Sequence, residues 1–434
     1  MRSVPQRTRK TMFINIFKPR IATLSADVNT ANIRYLYIEI LFAAFLGAVM
    51  TYNSLFALRL GATASLLGIL SSAPALVTAI LSVPSARYLE TRRNRKQWLL
   101  NSMLFMRLGQ LVLVILPTIA PDNAAVFFVA WVVVLIIPSA FFANGFNAML
   151  ADIIPEDRRA FVFSRRTIIW SLVTVAVLTA IGVYLDATTA SFPFNYQTLY
   201  FFGIITSMGS QIYLHKLVVP RLQALTTPRQ ATPVTRMPLS REMKKTLLNT
   251  FVYQFGINLP GPLFVLYYVN TLHVSDGAIS INNAAGTLGA VFGYILWEAI
   301  TRRRGFFWGM RTAAVMTWIL PFTIAFAQSF PLIIAANVAV NLIHPGMDLS
   351  IINVVFKLST PEQRNMSLSY YTTALNLSAF AAPLIAVPLS GVIGIPGTML
   401  CAAALRLLGG IMFQVNRVQD PAPEPGLQAA AVST

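Results

Sequence analysis

The stretch PEDRRAFVFSRR at residues 155–166 is nearly repeated by PEQRNMSLSYY at residues 361–371. Each copy follows a long apolar run and opens another, and the two copies begin 206 residues apart. A charged loop that recurs between apolar runs at this distance indicates that the chain contains two copies of one larger unit.

The composition excludes an ordinary soluble domain. Of the 434 residues, 56% are hydrophobic and only 11% are charged, whereas about a quarter of the residues of a soluble domain are charged. A chain this apolar needs a lipid bilayer around it, and each helix that crosses the bilayer takes about 20 apolar residues.

Apolar stretches of that length recur along the chain and lack the strict alternation of barrel strands. Pro, Gly, Asn and Asp mark most of the breaks between them. We therefore predict an all-α membrane protein with twelve transmembrane helices. The predicted spans are residues 35–58, 65–88, 97–117, 124–150, 162–185, 197–218, 246–270, 277–300, 306–327, 330–356, 367–391 and 395–416.

The 33 Lys and Arg residues are concentrated in the tails and in every second loop. Most of them lie in residues 1–34, 87–96, 158–166, 216–245 and 302–304. The intervening loops carry Asp122, Asp186 and Asp276, with Arg59 as the exceptional cation. Because basic loops stay in the cytoplasm, both termini are predicted to be cytoplasmic. Topology and lipid headgroups then account for the net charge of +18, and nucleic-acid binding is not expected.

The repeat extends beyond one loop, because Glu90 and Glu298 both precede clusters of Arg and lie 208 residues apart. Two six-helix units with the same orientation in the membrane are therefore predicted. The predicted divisions are a cytoplasmic tail at 1–31, an N-terminal bundle at 32–218, a basic cytoplasmic linker at 219–245, a C-terminal bundle at 246–417 and a disordered tail at 418–434.

The loop between the second and third predicted spans reads ARYLETRRNRK at residues 86–96. It resembles the pattern Gly-x-Leu-Ala-Asp-Arg-x-Gly-Arg-Lys of the major facilitator superfamily. Ala86 takes the place of the first Gly and Glu90 that of the Asp, while Arg95 and Lys96 form the basic end. This chain has one residue more than the pattern between Glu90 and Arg95. The two Pro-Glu loops and the layout of twelve spans in two sets of six are similar to this family as well.

The resemblance implies transport by alternating access, in which two six-helix halves rock around a central cavity. The first, fourth, seventh and tenth predicted spans would line that cavity. The charged loops would form a latch that holds one state, and the alternative is a topology anchor with solvated charges. The candidate latch residues are Glu90, Arg93, Arg95, Arg158, Glu298, Arg302 and Arg364.

Ionisable residues at membrane depth indicate function because burying a charge in lipid is costly. His344 and Asp348 are four residues apart and share a helix face. They are predicted to carry a coupling proton or to bind a charged substrate, and the alternative is a static pair that fixes helix packing. Glu39 is either a cavity carboxylate or an interfacial partner of Arg34. Arg107 is predicted to pair inward with a carboxylate of a neighbouring helix, with substrate contact as the alternative.

Amide and phenol groups in the first, fourth, seventh and tenth predicted spans favour a polar or amphipathic substrate. Each of them could instead serve as a hydrogen bond between helices. The candidate cavity groups are Tyr52, Asn53, Asn144, Asn147, Tyr253, Gln254, Asn258 and Asn341.

Together these features predict a secondary active transporter for a small polar or amphipathic molecule, coupled to a proton or to sodium. One alternative is a drug or metabolite exporter that works by proton antiport, although the fifth span lacks the Gly-x-x-x-Gly-Pro motif of such exporters. Another is a scaffold or receptor with the same fold that does not transport. An enzyme is not expected, since neither HExxH nor GxSxG occurs.

No cofactor or metal is expected, because Cys401 is the only cysteine and the three histidines are far apart in sequence. The predicted partners are the substrate, a coupling ion and the bilayer. The protein is predicted to be a monomer that spans a bacterial inner membrane several times.

Overall fold

The computed structural model of the protein describes residues 28–90, 94–154, 156–219, 239–360 and 364–416. Within these ranges the chain is helical and contains no β-strand, which confirms the predicted all-α class. Helices suit so apolar a chain because a helix satisfies its own backbone hydrogen bonds and needs no water to do so.

The N-terminal half contains α1 to α7, with short 3₁₀ turns at Pro121–Asn123 and Thr189–Ser191. Its helices are α1 (Val28–Met50), α2 (Asn53–Arg59), α3 (Ala64–Glu90), α4 (Arg95–Ile119), α5 (Ala124–Ile153), α6 (Glu156–Ala187) and α7 (Phe194–Lys216).

The C-terminal half contains α8 to α14, and a π turn at Tyr267–Thr271 extends α9. Its helices are α8 (Arg241–Asn258), α9 (Gly261–Leu266), α10 (Asp276–Arg304), α11 (Phe306–Met316), α12 (Ile319–Phe326), α13 (Phe330–Lys357) and α14 (Arg364–Val415).

Nine helical segments of the described residues are long and apolar enough to cross a membrane. One of them, Met366–Val415, contains both of the last two predicted spans. The predicted spans at 197–218 and 246–270 also form helices, but these are not among the nine. The number of twelve crossings and the cytoplasmic position of the termini therefore stay predictions.

The long helix α14 is broken at Gly394, whose φ of 73° lies in the left-handed region. Glycine adopts this conformation without the steric cost that a Cβ would add. The break falls between the predicted spans 367–391 and 395–416, so the chain changes direction where the sequence indicated a loop.

Within each half the helices form a bundle. In the N-terminal half α1 packs against α6 and α7, α4 packs against α5 and α7, and α3 packs against α5. In the C-terminal half α14 packs against α8 and α11, and α13 packs against α10 and α11. Large apolar side chains such as Ile119, Val183 and Val392 remain exposed on the outside, as expected of a surface that faces lipid.

The two halves meet mainly along two helix pairs, α6 with α10 and α3 with α14, and α9 also contacts α2 and α3. The sequence repeat makes α3 equivalent to α10 and α6 equivalent to the first part of α14, so one contact is made twice. Small residues allow this close approach. A Cβ at Gly182 of α6 would lie 2.8 Å from Ser280 Cβ, and a Cβ at Gly68 of α3 would lie 2.9 Å from Val387 Cγ2.

Candidate functional site

One end of the interface between the halves is closed by an ion pair. Arg59, the last residue of α2, donates from Nη2 and Nε to Asp276 Oδ1 at 2.6 and 3.1 Å. Tyr196 on α7 donates to the other oxygen, Asp276 Oδ2. Asp276 is buried at the start of α10, so two groups of the N-terminal half satisfy a carboxylate of the C-terminal half.

A second carboxylate closes the same end from the opposite side. Asp186, near the end of α6, accepts hydrogen bonds from the backbone N of Gly277 at 2.8 Å and from Ser275 Oγ at 3.1 Å. Ser275 is the N-cap residue of α10. A negative charge beside a helix N-terminus is stabilised by the helix dipole, typically by about 0.3–1 kcal/mol. Any side chain at position 277 would collide with the Asp186 carboxylate, so glycine is needed there.

Tyr52 belongs to the same closed end. Its hydroxyl donates to Ser280 Oγ, and Ser280 donates in turn to the backbone oxygen of Asp276 at 2.7 Å. Tyr52 is buried, so the structure places this predicted cavity group in the contact between the halves. These contacts form a closing cluster that consists of Tyr52, Arg59, Asp186, Tyr196, Asp276 and Ser280.

The opposite end carries the predicted latch residues. Glu298 Oε1 accepts from Arg302 Nη2 at 2.6 Å, but both lie on α10 and their side chains are 61% and 77% exposed. Arg158 and Arg364 are exposed. Arg93 and the side chains of Glu90 and Arg95 lie outside the described residues. Where both partners of a hydrogen bond are described, the bonds that join the two halves lie in and around the closing cluster.

A cavity of about 400 Å³ lies inside the N-terminal half, among α1, α4, α5 and α6. Its wall is mainly apolar, with methionine and aromatic side chains that include Met50, Met103, Met106, Phe142, Phe146 and Trp170. Its polar wall consists of Glu39, Asn53, Arg107, Gln110, Ser139 and Arg166. A mostly apolar pocket with a few convergent polar groups is the usual form of a small-molecule site.

A continuous chain of hydrogen bonds links Glu39, Arg107 and Arg166 of the polar wall through Ser210 and Gln211 behind it. Arg166 Nη2 donates to Glu39 Oε2 at 3.0 Å, and Ser210 Oγ donates to Glu39 Oε1 at 2.8 Å. Arg107 donates from Nη2 to Ser210 Oγ at 2.7 Å and from Nη1 to Gln211 Oε1 at 2.8 Å. All five residues are buried, so the chain joins α1, α4, α6 and α7 away from water.

These contacts show where the structure places Glu39 and Arg107, whose roles stay predictions. Glu39 lies at the cavity and pairs with Arg166, whereas Arg34 is exposed. Arg107 was predicted to pair with a carboxylate, but its hydrogen-bond acceptors are a serine hydroxyl and a glutamine amide. The prediction missed Arg166, since its position in the repeated loop made it a topology signal in the sequence.

The C-terminal half presents a partly exposed carboxylate. His344 Nδ1 lies 3.1 Å from Asp348 Oδ2, and their side chains are 30% and 41% exposed. Tyr294 of α10 donates to the same Asp348 oxygen at 3.2 Å. The structure thus brings the two predicted residues together on one face of α13, and their role stays a prediction.

Several predicted amide groups bond to other helices or to one another. Asn341 donates to Asn337 Oδ1 at 2.8 Å, and Asn337 donates to Asn282 Oδ1 at 3.1 Å, which joins α13 to α10. Asn258 donates to Ser378 Oγ of α14 at 3.3 Å. Asn53 accepts from the Tyr200 hydroxyl and also lines the cavity.

The other predicted cavity groups are placed differently. Tyr253 is fully buried in the packing between α8 and α14, where a Cβ at Gly409 would lie 2.8 Å from Tyr253 Cβ. It is therefore a packing residue in this structure, because α8 turns this face towards α14. Gln254 is half-buried. The side chains of Asn144 and Asn147 lie outside the described residues.

Sequence reasoning also missed most of the closing cluster. Arg59, Asp186 and Asp276 were noted only as the charges of otherwise uncharged loops. The available signal was that Arg59 is the exceptional cation among those loops. Among the described residues, no group of three or more His, Cys, Asp or Glu could hold a metal ion.

Comparisons with known proteins concern the family and the fold. The sequence model of the Major Facilitator Superfamily matches residues 37–244 and 246–432, which confirms the resemblance found in the sequence. A search of curated proteins gives no match.

Solved structures of transporters share the fold. A mutant of the nucleoside transporter NupG has a TM-score of 0.69 at 10% identity, over 90% of this chain and 99% of that one. A bacterial homologue of the human lysosomal transporter Spinster, inward-facing and occupied, has a TM-score of 0.66 at 12% identity, over 90% and 97%. A bacterial homologue of the iron transporter ferroportin, inward-facing, has a TM-score of 0.65 at 10% identity, over 89% and 97%. At such low identity the likeness concerns the fold alone.

Proposed function

The chain belongs to the Major Facilitator Superfamily, and we propose that it is a secondary transporter that moves a small polar or amphipathic molecule by alternating access. The family and its structural neighbours are transporters and not enzymes. The observation that carries the proposal is that the closing cluster joins the two halves at one end, while the buried charges of a cavity lie deeper in the N-terminal half.

The proposed topology has twelve crossings and both termini in the cytoplasm. The closing cluster then lies on the outer face, since it belongs to the loops with few cations. We infer that closure at the outer face belongs to an inward-facing state of the transport cycle. A bacterial inner membrane and a monomeric protein complete the proposal, with the duplicated halves in the roles of the two moving bodies.

We propose that His344 and Asp348 couple transport to a proton. A carboxylate and an imidazole that share a hydrogen bond and touch water can take up and release protons as the surroundings change. Coupling to sodium is the alternative that the same carboxylate allows. Export by proton antiport would use the same pair with the opposite direction of substrate movement.

The proposed function is tested with purified protein in liposomes that contain a pH-sensitive dye. Compounds are added one at a time under an inward or an outward proton gradient. A compound that moves together with protons supports transport, and the gradient that drives it distinguishes symport from antiport. Liposomes without protein give the background. If a correctly folded sample moves none of a broad set of compounds under proton or sodium gradients, the transport proposal fails.

A disulfide variant tests alternating access directly. A Cβ at position 182 would lie 2.8 Å from Ser280 Cβ, which is shorter than the 3.5–4.5 Å that a disulfide spans, so α6 and α10 must separate by about 1 Å to accommodate the bond. We expect Gly182→Cys with Ser280→Cys, in a Cys401→Ser background, to stop transport when oxidised and to recover it on reduction. The matched control carries Ser280→Cys alone. Equal transport by the oxidised and reduced double variant would contradict alternating access at this interface.

A further inference from the structure

We propose that the cavity of the N-terminal half binds the anionic group of an organic anion, with Arg107 as the residue that holds it. The inference deepens the proposed function and rests on it, because it names the chemical class of the substrate. Three independent features of the cavity lead to it: its charge, an unused donor, and the character of its walls.

The charge of the cavity is not balanced by the residues that the structure describes. Two guanidinium groups, Arg107 and Arg166, line it together with a single carboxylate, Glu39. Glu39 is in direct contact with Arg166, and the acceptors of Arg107 are the uncharged side chains of Ser210 and Gln211. A guanidinium stays charged in proteins, so one positive charge remains buried without a carboxylate in contact.

Arg107 also retains an unused hydrogen-bond donor. It is fully buried, and its Nε has no hydrogen-bond partner although its two Nη atoms do. A buried donor without a partner costs about 1–3 kcal/mol, and this cost disappears if a ligand supplies the acceptor. A carboxylate, sulfonate or phosphate oxygen would satisfy the hydrogen bond and the charge together.

A second unpaired atom lies one turn along the same helix. Gln110 donates from Nε2 to Met50 Sδ at 3.6 Å, while its Oε1 is buried and has no partner. This oxygen accepts hydrogen bonds and cannot bind an anion, so it suits a hydroxyl or N–H group of the same ligand. The two unpaired atoms therefore define a donor site and an acceptor site on α4.

The remaining wall suits an apolar body. Met50, Met103, Met106, Phe146 and Trp170 surround the polar groups, and methionine and aromatic side chains adapt to varied apolar shapes. The volume of about 400 Å³ is within the usual range of about 300–1,000 Å³ for small-molecule sites. The substrate class is therefore a small organic anion with an apolar or aromatic part and a hydrogen-bond donor.

The binding test uses three probes with one apolar body and different charge: phenylpropionate, phenylpropanamide and phenylpropylamine. Binding to the purified protein in detergent is followed by quenching of tryptophan fluorescence. We expect the carboxylate to bind at least tenfold more tightly than the amide and the amine. Trp170→Phe should remove most of the signal, which places the probe in the cavity. Equal or weaker binding of the carboxylate would overturn the inference.

Charge variants sharpen this result. Arg107→Gln should abolish the preference for the carboxylate, and Arg107→Lys should retain part of it. Glu39→Gln makes the cavity more positive and should preserve or increase the preference. Arg302→Gln removes one exposed charge on α10 and is the matched control. If Arg107→Gln does not fold, the Lys variant and the three probes on the unchanged protein still decide. An unchanged preference in Arg107→Lys and Arg107→Gln would contradict the role of Arg107.

Binding and transport fail in distinguishable ways. If liposomes containing the protein move a neutral or cationic compound, and this transport is insensitive to Arg107→Gln, the proposed function holds and the anion inference is wrong. If the protein binds phenylpropionate through Arg107 but moves no compound, the anion site is supported and the transport proposal fails.

Discussion

The two halves descend from one repeated unit, yet they hold their charges in opposite ways. In the N-terminal half Glu39, Arg107 and Arg166 are nearly inaccessible and linked through Ser210. In the C-terminal half the Asp348 side chain is 41% exposed beside His344. Burial strengthens electrostatic interactions, whereas water screens an exposed charge and exchanges protons with it.

This difference indicates that the two halves of a duplicated fold can serve different tasks. A fixed buried charge suits recognition, because its surroundings are already organised before a ligand arrives. An exposed carboxylate with an imidazole neighbour suits a group whose charge changes. Four substitutions test this division, and they follow in order of decreasing expected effect.

The largest effect is expected for Arg166→Met. The change leaves the buried Glu39 carboxylate without its ion pair, and breaking a buried pair typically costs about 3–5 kcal/mol. We expect a strongly lowered thermal unfolding temperature, measured in detergent. The double variant Glu39→Gln with Arg166→Met removes both charges and should recover much of the loss. An unfolding temperature unchanged in Arg166→Met would show that the buried pair contributes little.

Asp348→Asn should separate coupling from folding. Because the side chain is 41% exposed, we expect stability to change by about 0.5 kcal/mol or less, while accumulation driven by a proton gradient is lost. Exchange of labelled substrate between the two sides without a gradient should persist. The matched comparison is Glu39→Gln, which changes a buried carboxylate and should lower stability more. Accumulation at the normal rate in Asp348→Asn would reject the coupling role.

Arg59→Gln should loosen the closing cluster by a moderate amount. Arg59 is 35% exposed and Asp276 only 7% exposed, so the cost lies between the about 1 kcal/mol or less of a surface pair and the about 3–5 kcal/mol of a broken buried pair. We expect a several-fold faster reaction of a thiol introduced by Ser280→Cys, in a Cys401→Ser background, with a reagent that does not cross the membrane. No change in labelling would mean that Asp186 and Tyr196 close this end without the ion pair.

The smallest effect is expected for Glu298→Gln. The pair with Arg302 is exposed on one helix, and such pairs contribute only about 0.3–0.5 kcal/mol. The labelling of Ser280→Cys should therefore stay as in the parent protein. A change comparable to that of Arg59→Gln would restore the predicted latch at this end and contradict the topology-anchor alternative.

Much of the architecture could be predicted from the sequence. The breaks near Gly394 and Gly305 fall where the predicted spans end. The helices that the repeated loops relate, α3 with α10 and α6 with α14, are those that form the main contacts between the halves. The prediction also placed His344 and Asp348 on one helix face. These features depend on local hydropathy, on turn residues and on spacing along one helix, which a single sequence displays directly.

Side-chain partners could not be predicted in the same way. Tyr52 and Tyr253 were both assigned to a cavity, but Tyr52 joins the halves and Tyr253 packs against α14. Which face of a helix meets a neighbour depends on helix rotation and crossing, and an apolar helix in a lipid environment shows little amphipathic pattern to indicate it.

The sequence by itself determined that this protein is helical, spans a bilayer and consists of two equivalent halves. These three properties follow from the apolar runs and the loop charges along the chain. Only the tertiary structure decided that Arg166 pairs with Glu39 across 127 residues and that Asp276 meets Arg59 across 217. The physical reason is that a buried charge is stabilised by whichever group the packing brings within about 3 Å. Packing of helices, and not order along the chain, selects that group.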